Sequence, residues 1–189
     1  SAVLQLQRSA QAGTGGLDGT VRVTSAETFS GRYLAPRLAA FGRQHPQLTI
    51  ELLAGSHIFD LARREADIAV RFSRSKHDHL VVQRAAEVGF SLYGTEEYFA
   101  RRPAPRSPEG LADHDIISPG TSENDVEIQW LHRLARRARV VFVSNLTLAI
   151  EAVALTGAGL AVLPRYLGDS QPRLRRVPMP EEPSLTIWL

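Results

Sequence analysis

Between residues 19 and 72 the chain alternates short apolar runs with one helical stripe, and this periodicity leaves few folds open. Residues 20–24 place Val21 and Val23 on one face, as a strand does. Leu34, Leu38 and Phe41 then recur at i, i+4 and i+7, the apolar stripe of a helix. Pro36 requires that the regular helix start near it or kink there, and His45-Pro46 ends it. Residues 48–53 read as a second strand, 59–65 as a short helix and 67–72 as a third strand. A β-α-β-α-β order in so short a stretch predicts a parallel sheet with right-handed crossovers.

The rest of the chain repeats the logic. Strands are expected at 80–86 and 90–93, then a helix at 96–102 that Pro103 ends, and a proline-rich loop over 102–108. Residues 111–118 hold a short helix and a strand at Ile116-Ile117, and 121–125 a polar loop. A strand at 140–143 leads to a helix at 146–156, with Ile150 and Val153 on one face and Gly157 and Gly159 stopping it. Residues 160–163 read as a buried strand closed by Pro164, and 174–177 and 185–189 as late strands. These are too many strands for one small sheet, so two β/α units are expected, dividing near residue 88. Residues 1–11 have helical spacing at Val3, Leu4 and Gln7, which Gly13, Gly15 and Gly16 break: the end of a helix, then a linker.

Composition narrows the function. Cysteine is absent, which excludes disulfides, thiolate metal sites and a cysteine nucleophile. Net charge is +2, the basic residues being arginines apart from Lys76, so the segment carries no strong argument for a nucleic-acid surface. No apolar run approaches the ~18 residues of a membrane helix, and residues 1–11 do not resemble a signal peptide. With no initiator methionine and an apolar last run at 185–189, the sequence reads as a fragment of a longer protein.

In parallel α/β sheets, ligands sit at the carboxyl ends of strands. Four such ends carry polar groups: Thr24 and Ser25; Gly55 and Ser56; Arg71, Phe72 and Ser73; and Ser144, Asn145 and Thr147. Each hydroxyl or amide either caps a helix or faces a small polar ligand, and the two roles are compatible. Arg71, near the end of a buried strand, needs a partner. That partner is either an anionic ligand or an internal carboxylate such as Asp67 or Glu51.

Other chemistry finds little support. His77-Asp78-His79 lacks a third ligand and reads as a solvated loop, so no metal is expected. Gly157-Ala158-Gly159 follows a helix and precedes a strand, the reverse of a dinucleotide fingerprint, so no cofactor is expected. There is no nucleophile elbow, no Walker loop and no catalytic constellation, which argues against an enzyme. The run Arg133, Arg136, Arg137 and Arg139 reads as a solvated face.

The ordered segments resemble one known family. They are Gly19 to Val23, then Leu34-Ala35-Pro36-Arg37-Leu38-Ala39-Ala40-Phe41, His45-Pro46, the strand at 48–53, Asp60-Leu61 and Ala66-Asp67-Ile68-Ala69-Val70-Arg71. Glu151-Ala152-Val153 and the run from Gly157 to Pro164 follow, and the ending at 185–189 closes the set. From residue 19 onward this is similar to the LysR-type transcriptional regulators. The resemblance implies an α/β fold of two Rossmann-like subdomains joined by crossover strands, of the type 2 periplasmic-binding-protein kind. It implies the end of a linker helix and linker at 1–18, a first subdomain at 19–88 plus 185–189, and a second at 89–184. It implies a small effector bound between the subdomains, with Thr24, Ser25, Ser56, Arg71, Phe72, Ser118, Asn145 and Leu146 as its contacts, and Arg71 with the polar strand ends leans towards an anion. It further implies DNA binding through a helix-turn-helix module preceding Ser1, a short helix following Leu189, a homodimer or homotetramer, no membrane and a cytoplasmic location. Two stretches look short for the family, 130–139 and 166–173. A periplasmic solute-binding protein of the same fold is the rival expectation.

Overall fold

The computed structural model describes residues 18–54, 66–75, 80–120 and 125–189, and the chain divides into two units: Ser1–Glu87 with Thr186–Leu189, and Val88–Leu185. The linker at 1–17, the helix expected at 59–65 and most of the polar loop at 121–125 lie outside the described residues.

The first unit is built on β1 (Gly19–Ser25), which lies between β2 (Leu48–Ala54) and β3 (Ile68–Ala69), both parallel to it. As the central strand, β1 is buried at its carboxyl end, over Val23, Thr24 and Ser25. The strand expected at 67–72 keeps β1 for only part of its length. Val70 N–H still donates to the Thr24 carbonyl, but Arg71 then exchanges both backbone hydrogen bonds with Trp188, antiparallel.

Between β1 and β2 the chain forms α1 (Glu27–Phe29), a π turn (Ser30–Leu34) and α2 (Ala35–Gln44). The helix therefore starts well before Pro36 and widens just ahead of it. Proline has no N–H to give the Arg32 carbonyl, and the ladder is re-satisfied by a longer bond from Ala35 N–H to the Ser30 carbonyl. Arg37 covers the seam: its Nη1 donates to the Tyr33 carbonyl at 2.9 Å, and its guanidinium lies 3.6 Å over the Tyr33 ring. The stripe of Leu34, Leu38 and Phe41 is buried.

The two strands expected at 80–86 and 90–93 are one strand, β4 (Arg84–Thr95), which continues through Gly89. Thr95 caps the next helix, α3 (Glu96–Arg101), accepting from Tyr98 N–H at 3.2 Å. A 3₁₀ turn (Pro108–Asp113) leads into β5 (Asp115–Ser118). Next come α4 (Val126–Leu134), β6 (Arg139–Val143), α5 (Thr147–Leu155), β7 (Leu160–Pro164), α6 (Arg165–Gly168), β8 (Leu174–Val177) and β9 (Ser184–Trp188).

The second sheet runs β6-β5-β7-β4-β8. β5, β6 and β7 are parallel, and β4 is antiparallel to β7 and β8. Its core gathers Tyr93, Ile117, Ile150, Ala154, Ala161, Leu163 and Leu167. α5 contributes Ile150 and Ala154 to it, and Gly157, at φ +73°, ends the helix in the left-handed conformation that favours glycine. β4 and β9 pair with each other, and each has residues in both units, so they are the two crossover strands.

Helix α4 has no counterpart in the sequence reading. It buries Ile128, Trp130 and Leu131. Trp130 Nε1–H donates to the Pro180 carbonyl at 2.9 Å, so its position depends on a segment distant in sequence.

Candidate functional site

At the carboxyl end of β1, Thr24 is 1 % exposed and Ser25 is 0 % exposed. Among the described residues the Ser25 hydroxyl has no hydrogen-bond partner, and a buried hydroxyl without one costs about 1–3 kcal/mol. Such groups are uncommon in folded proteins. Ser25 is not a helix cap: the first helix begins after Ala26, with no side-chain cap.

Arg71 sits beside this pair. Its Nη2 donates to Thr24 Oγ1 at 3.3 Å. Both internal carboxylates open to it from the sequence are engaged elsewhere. Glu51 accepts from Arg22 Nε at 2.7 Å, as its cross-strand neighbour in the β1–β2 register. Asp67 accepts from the Arg22 backbone N–H at 2.8 Å. Among the described residues, then, the half-buried guanidinium has a neutral hydroxyl as its side-chain partner and no carboxylate. Burial lowers the Arg71 pKa from its ordinary value, the direction expected of a charge removed from water without compensation. Phe72 packs edge-on against Phe29 at 5.3 Å between ring centroids, and Phe29 stacks on Tyr33 at 4.8 Å. The carboxyl end of β1 therefore carries two buried hydroxyls, one of them on the Arg71 guanidinium, and Phe72 follows Arg71 in sequence. A half-buried guanidinium is a group that an anionic oxygen can complete.

The second unit presents its own polar strand ends. The Ser118 side chain is committed to the backbone: its hydroxyl donates to the Gly120 carbonyl at 3.1 Å and accepts from Gly120 N–H at 3.4 Å. It holds the turn at Gly120, whose φ is +126°. After β6, Ser144 Oγ accepts from Leu146 N–H at 3.1 Å. Leu146, and neither Asn145 nor Thr147, occupies the cap position of α5, without a side-chain cap bond. Asn145 and Leu146 are both exposed. Ser56, the remaining expected contact, lies outside the described residues, as do His57, His77 and His79.

Two features escaped the sequence reading. Glu127, in the first turn of α4, has a buried Oε2 with no partner, and burial raises its pKa. An acid in a first helical turn is ordinary, so nothing local marks it for burial. Asp115 is the second. It accepts from Arg139 Nε at 2.7 Å and from Arg102 Nη1 at 2.9 Å, chiefly the Arg139 bond holding its carboxyl below the usual range. All four arginines of the run are exposed, as a solvated face requires; Arg139 is in addition paired with Asp115, while Arg133, Arg136 and Arg137 line an open cleft with Pro108, Glu109, Ala112 and Leu134.

Comparison with known proteins places this geometry in context. The model of the LysR substrate binding domain matches residues 14–189. The HTH-type transcriptional regulator PgrR of Escherichia coli is 29% identical over 153 residues, covering 77% of this chain and 51% of that protein. The HTH-type transcriptional regulator PtxR of Pseudomonas aeruginosa is 29% identical over 154 residues, covering 79% of this chain and 49% of that protein. The chain thus spans about half the length of the curated relatives it matches. Among solved structures, the regulatory domain of CrgA, a LysR-type transcriptional regulator from Neisseria meningitidis, superposes with a TM-score of 0.71 at 20% identity, covering 90% of this chain and 87% of that one.

Proposed function

Because this chain belongs to the LysR substrate-binding domain family, we propose that it is the effector-binding and self-associating part of a longer transcriptional regulator, and that its effector is a small organic anion. One observation carries the ligand class: the half-buried Arg71 meets only the neutral Thr24 among the described side chains, next to the fully buried and unpartnered Ser25. Phe72 supplies an apolar contact there. Asn145 and Leu146 are proposed as effector contacts of the second unit, and Ser118 as their support through the Gly120 turn. An effector changes a regulator's output only by binding its states unequally. A guanidinium that a ligand alone completes provides such a difference.

DNA binding is proposed to reside in a helix-turn-helix module of the longer protein, and the location to be cytoplasmic, where the DNA is. Among the described residues no helix is long and apolar enough to cross a membrane. The family is one of transcriptional regulators, not an enzyme class, and the rival reading as a periplasmic solute receptor is not favoured by the relatives. The test of the ligand class is a thermal-shift screen of small carboxylates, amines and neutral polyols. A ligand at 100 times its dissociation constant adds about 2.7 kcal/mol, so a carboxylate is expected to raise the melting temperature saturably. Stabilisation by amines or polyols alone would overturn the assignment.

Self-association is proposed to run through β6. Among the described strands it pairs with β5 alone, and Val140, Val141, Val143 and Leu146 are exposed on or beside it. An apolar edge with open N–H and C=O groups is a template for another chain. Val140→Lys with Val143→Lys is expected to sediment as a monomer at concentrations where the parent chain is dimeric or tetrameric. Unchanged sedimentation would exclude β6 from the interface.

A further inference from the structure

Below β6 in sequence order, the turn after α4 meets the 3₁₀ turn at Pro108–Asp113 across an open cleft of about 340 Å³. Arg133 belongs to the last turn of α4, and Arg136 and Arg137 follow in the turn that Ala138 N–H closes onto the Ala135 carbonyl. Elsewhere in this unit several guanidiniums find carboxylates, and Arg173 donates to the Leu155 carbonyl. Arg102 and Arg139 share Asp115, Arg165 takes Glu182, Arg175 takes Glu96 and Arg101 takes Glu97. Among the described residues Arg133, Arg136 and Arg137 have no ion-pair or hydrogen-bond partner. Glu109 lines the same cleft as a carboxylate, its charged form favoured by Ser107, and offsets one of the three positive charges.

We propose that this cleft is a second ligand site, separate from Arg71, that takes a small organic polyanion. Three like charges brought together raise one another's energy, and a multivalent anion relieves that cost through charge-assisted, bidentate hydrogen bonds. The carboxyl end of α4 offsets part of the charge through its dipole, equivalent to about half an elementary charge, and with Glu109 it still leaves an excess of positive charge in the cleft. Concavity decides between occupants. Nucleic acid requires an extended positive field, and the chain's net charge is only +2. A cleft floored by Pro108 and Leu134 instead fits a compact molecule with two or more acidic groups on a carbon frame.

The experiment is calorimetric titration of the chain with citrate, phthalate and pyrophosphate. It is repeated on the triple variant Arg133→Gln, Arg136→Gln, Arg137→Gln, and on Arg37→Gln, Arg43→Gln, Arg84→Gln as a control of equal charge. All six side chains are at the surface; the control gives up the Arg37 contacts with Tyr33 and the Arg84 pair with Glu87, so the melting temperature of each variant is measured and binding is compared well below it. Saturable binding of at least one probe is expected, weakened at least 100-fold in the first triple and less than threefold in the control. Equal weakening in both triples, binding unchanged in the first, or no saturable binding of any probe would overturn the site. So would displacement of the probe by random-sequence duplex DNA at equal phosphate concentration, because that would identify a phosphate-backbone surface. Arg71→Leu is expected to leave this binding intact, which separates failure here from failure of the Arg71 site.

Discussion

Gly159→Ala is expected to be strongly destabilising, alongside Gly168→Ala, whose Cβ would overlap the buried Tyr93 ring. A Cβ at Gly159 would lie 2.5 Å from the Asp115 carbonyl oxygen and 3.0 Å from its carbonyl carbon. Those atoms are backbone of β5, paired in register with β7 immediately afterwards, at Ile116 opposite Leu160. A side chain could swing away; a strand between two others cannot without moving its ladder. Asp115 is also the junction of a polar cluster. Its carboxylate holds Arg102 and Arg139, its N–H donates to the Tyr98 hydroxyl at 3.0 Å, and that hydroxyl meets His114 Nδ1 at 3.0 Å. Displacing β5 therefore strains several bonds at once. Overpacking typically costs about 1–3 kcal/mol, and we expect the upper end or beyond, a fall in melting temperature of roughly 6–12 °C for a chain of this size. Gly42→Ala is the contrast. Its Cβ would have one neighbour, Ile50 Cδ1 at 3.9 Å, an ordinary contact, inside α2. There alanine is expected to stabilise by about 0.5–1 kcal/mol through helix propensity. Thermal unfolding of both variants measures the comparison, and a Gly159→Ala chain melting within 2 °C (roughly 0.5–1 kcal/mol) of the parent would show that β5 yields.

Much of the fold was legible because its periodicities are local. The Val21 and Val23 alternation and the Leu34, Leu38 and Phe41 stripe each report which face is buried without reference to the rest of the chain. What failed depended on distant partners. The alternation at 67–72 is the same whichever strand it pairs with, so the exchange from β1 to β9 at Arg71 leaves no trace in it. Gly89 looks like a break, but its missing side chain makes room for Arg165, which would sit 3.1 Å from a Cβ there, and β4 continues through it. In α4 the apolar residues are interleaved with Glu127, Gln129, His132 and Arg133, and Trp130 is fixed by Pro180. At the site, the need of Arg71 for a partner could be read from its strand position. That Glu51 was taken could not, because Arg22 faces Glu51 only once the register is set. The bonds between the Ser118 hydroxyl and the Gly120 backbone depend on a turn at positive φ, which a serine in a strand does not announce.

Arg71→Leu is expected to abolish the stabilisation by a carboxylate effector while leaving the free chain nearly as stable as before. The two effects separate because of where the guanidinium lies. Its desolvation, which lowers its pKa, is a cost in the unliganded chain that no described carboxylate repays. Replacing a poorly compensated buried cation with an apolar side chain is commonly neutral or favourable. The opposing term is Thr24, 1 % exposed, which would lose a 3.3 Å contact worth about 1 kcal/mol. In the bound state the balance reverses. A hydrogen bond to a charged group contributes about 1.5–3 kcal/mol, so loss of Arg71 should weaken carboxylate binding about 10- to 150-fold. Arg71→Lys is expected to fall between, because an ammonium keeps the charge but not the two-pronged geometry. Ranking the three chains by melting temperature, with and without saturating ligand, is the measurement. If Arg71→Leu destabilised the free chain by several kcal/mol, the arginine would be structural. If it kept the full ligand-induced shift, the anion would bind elsewhere. Only the combination of an intact free chain and a lost shift makes Arg71 the group that reads the ligand's charge.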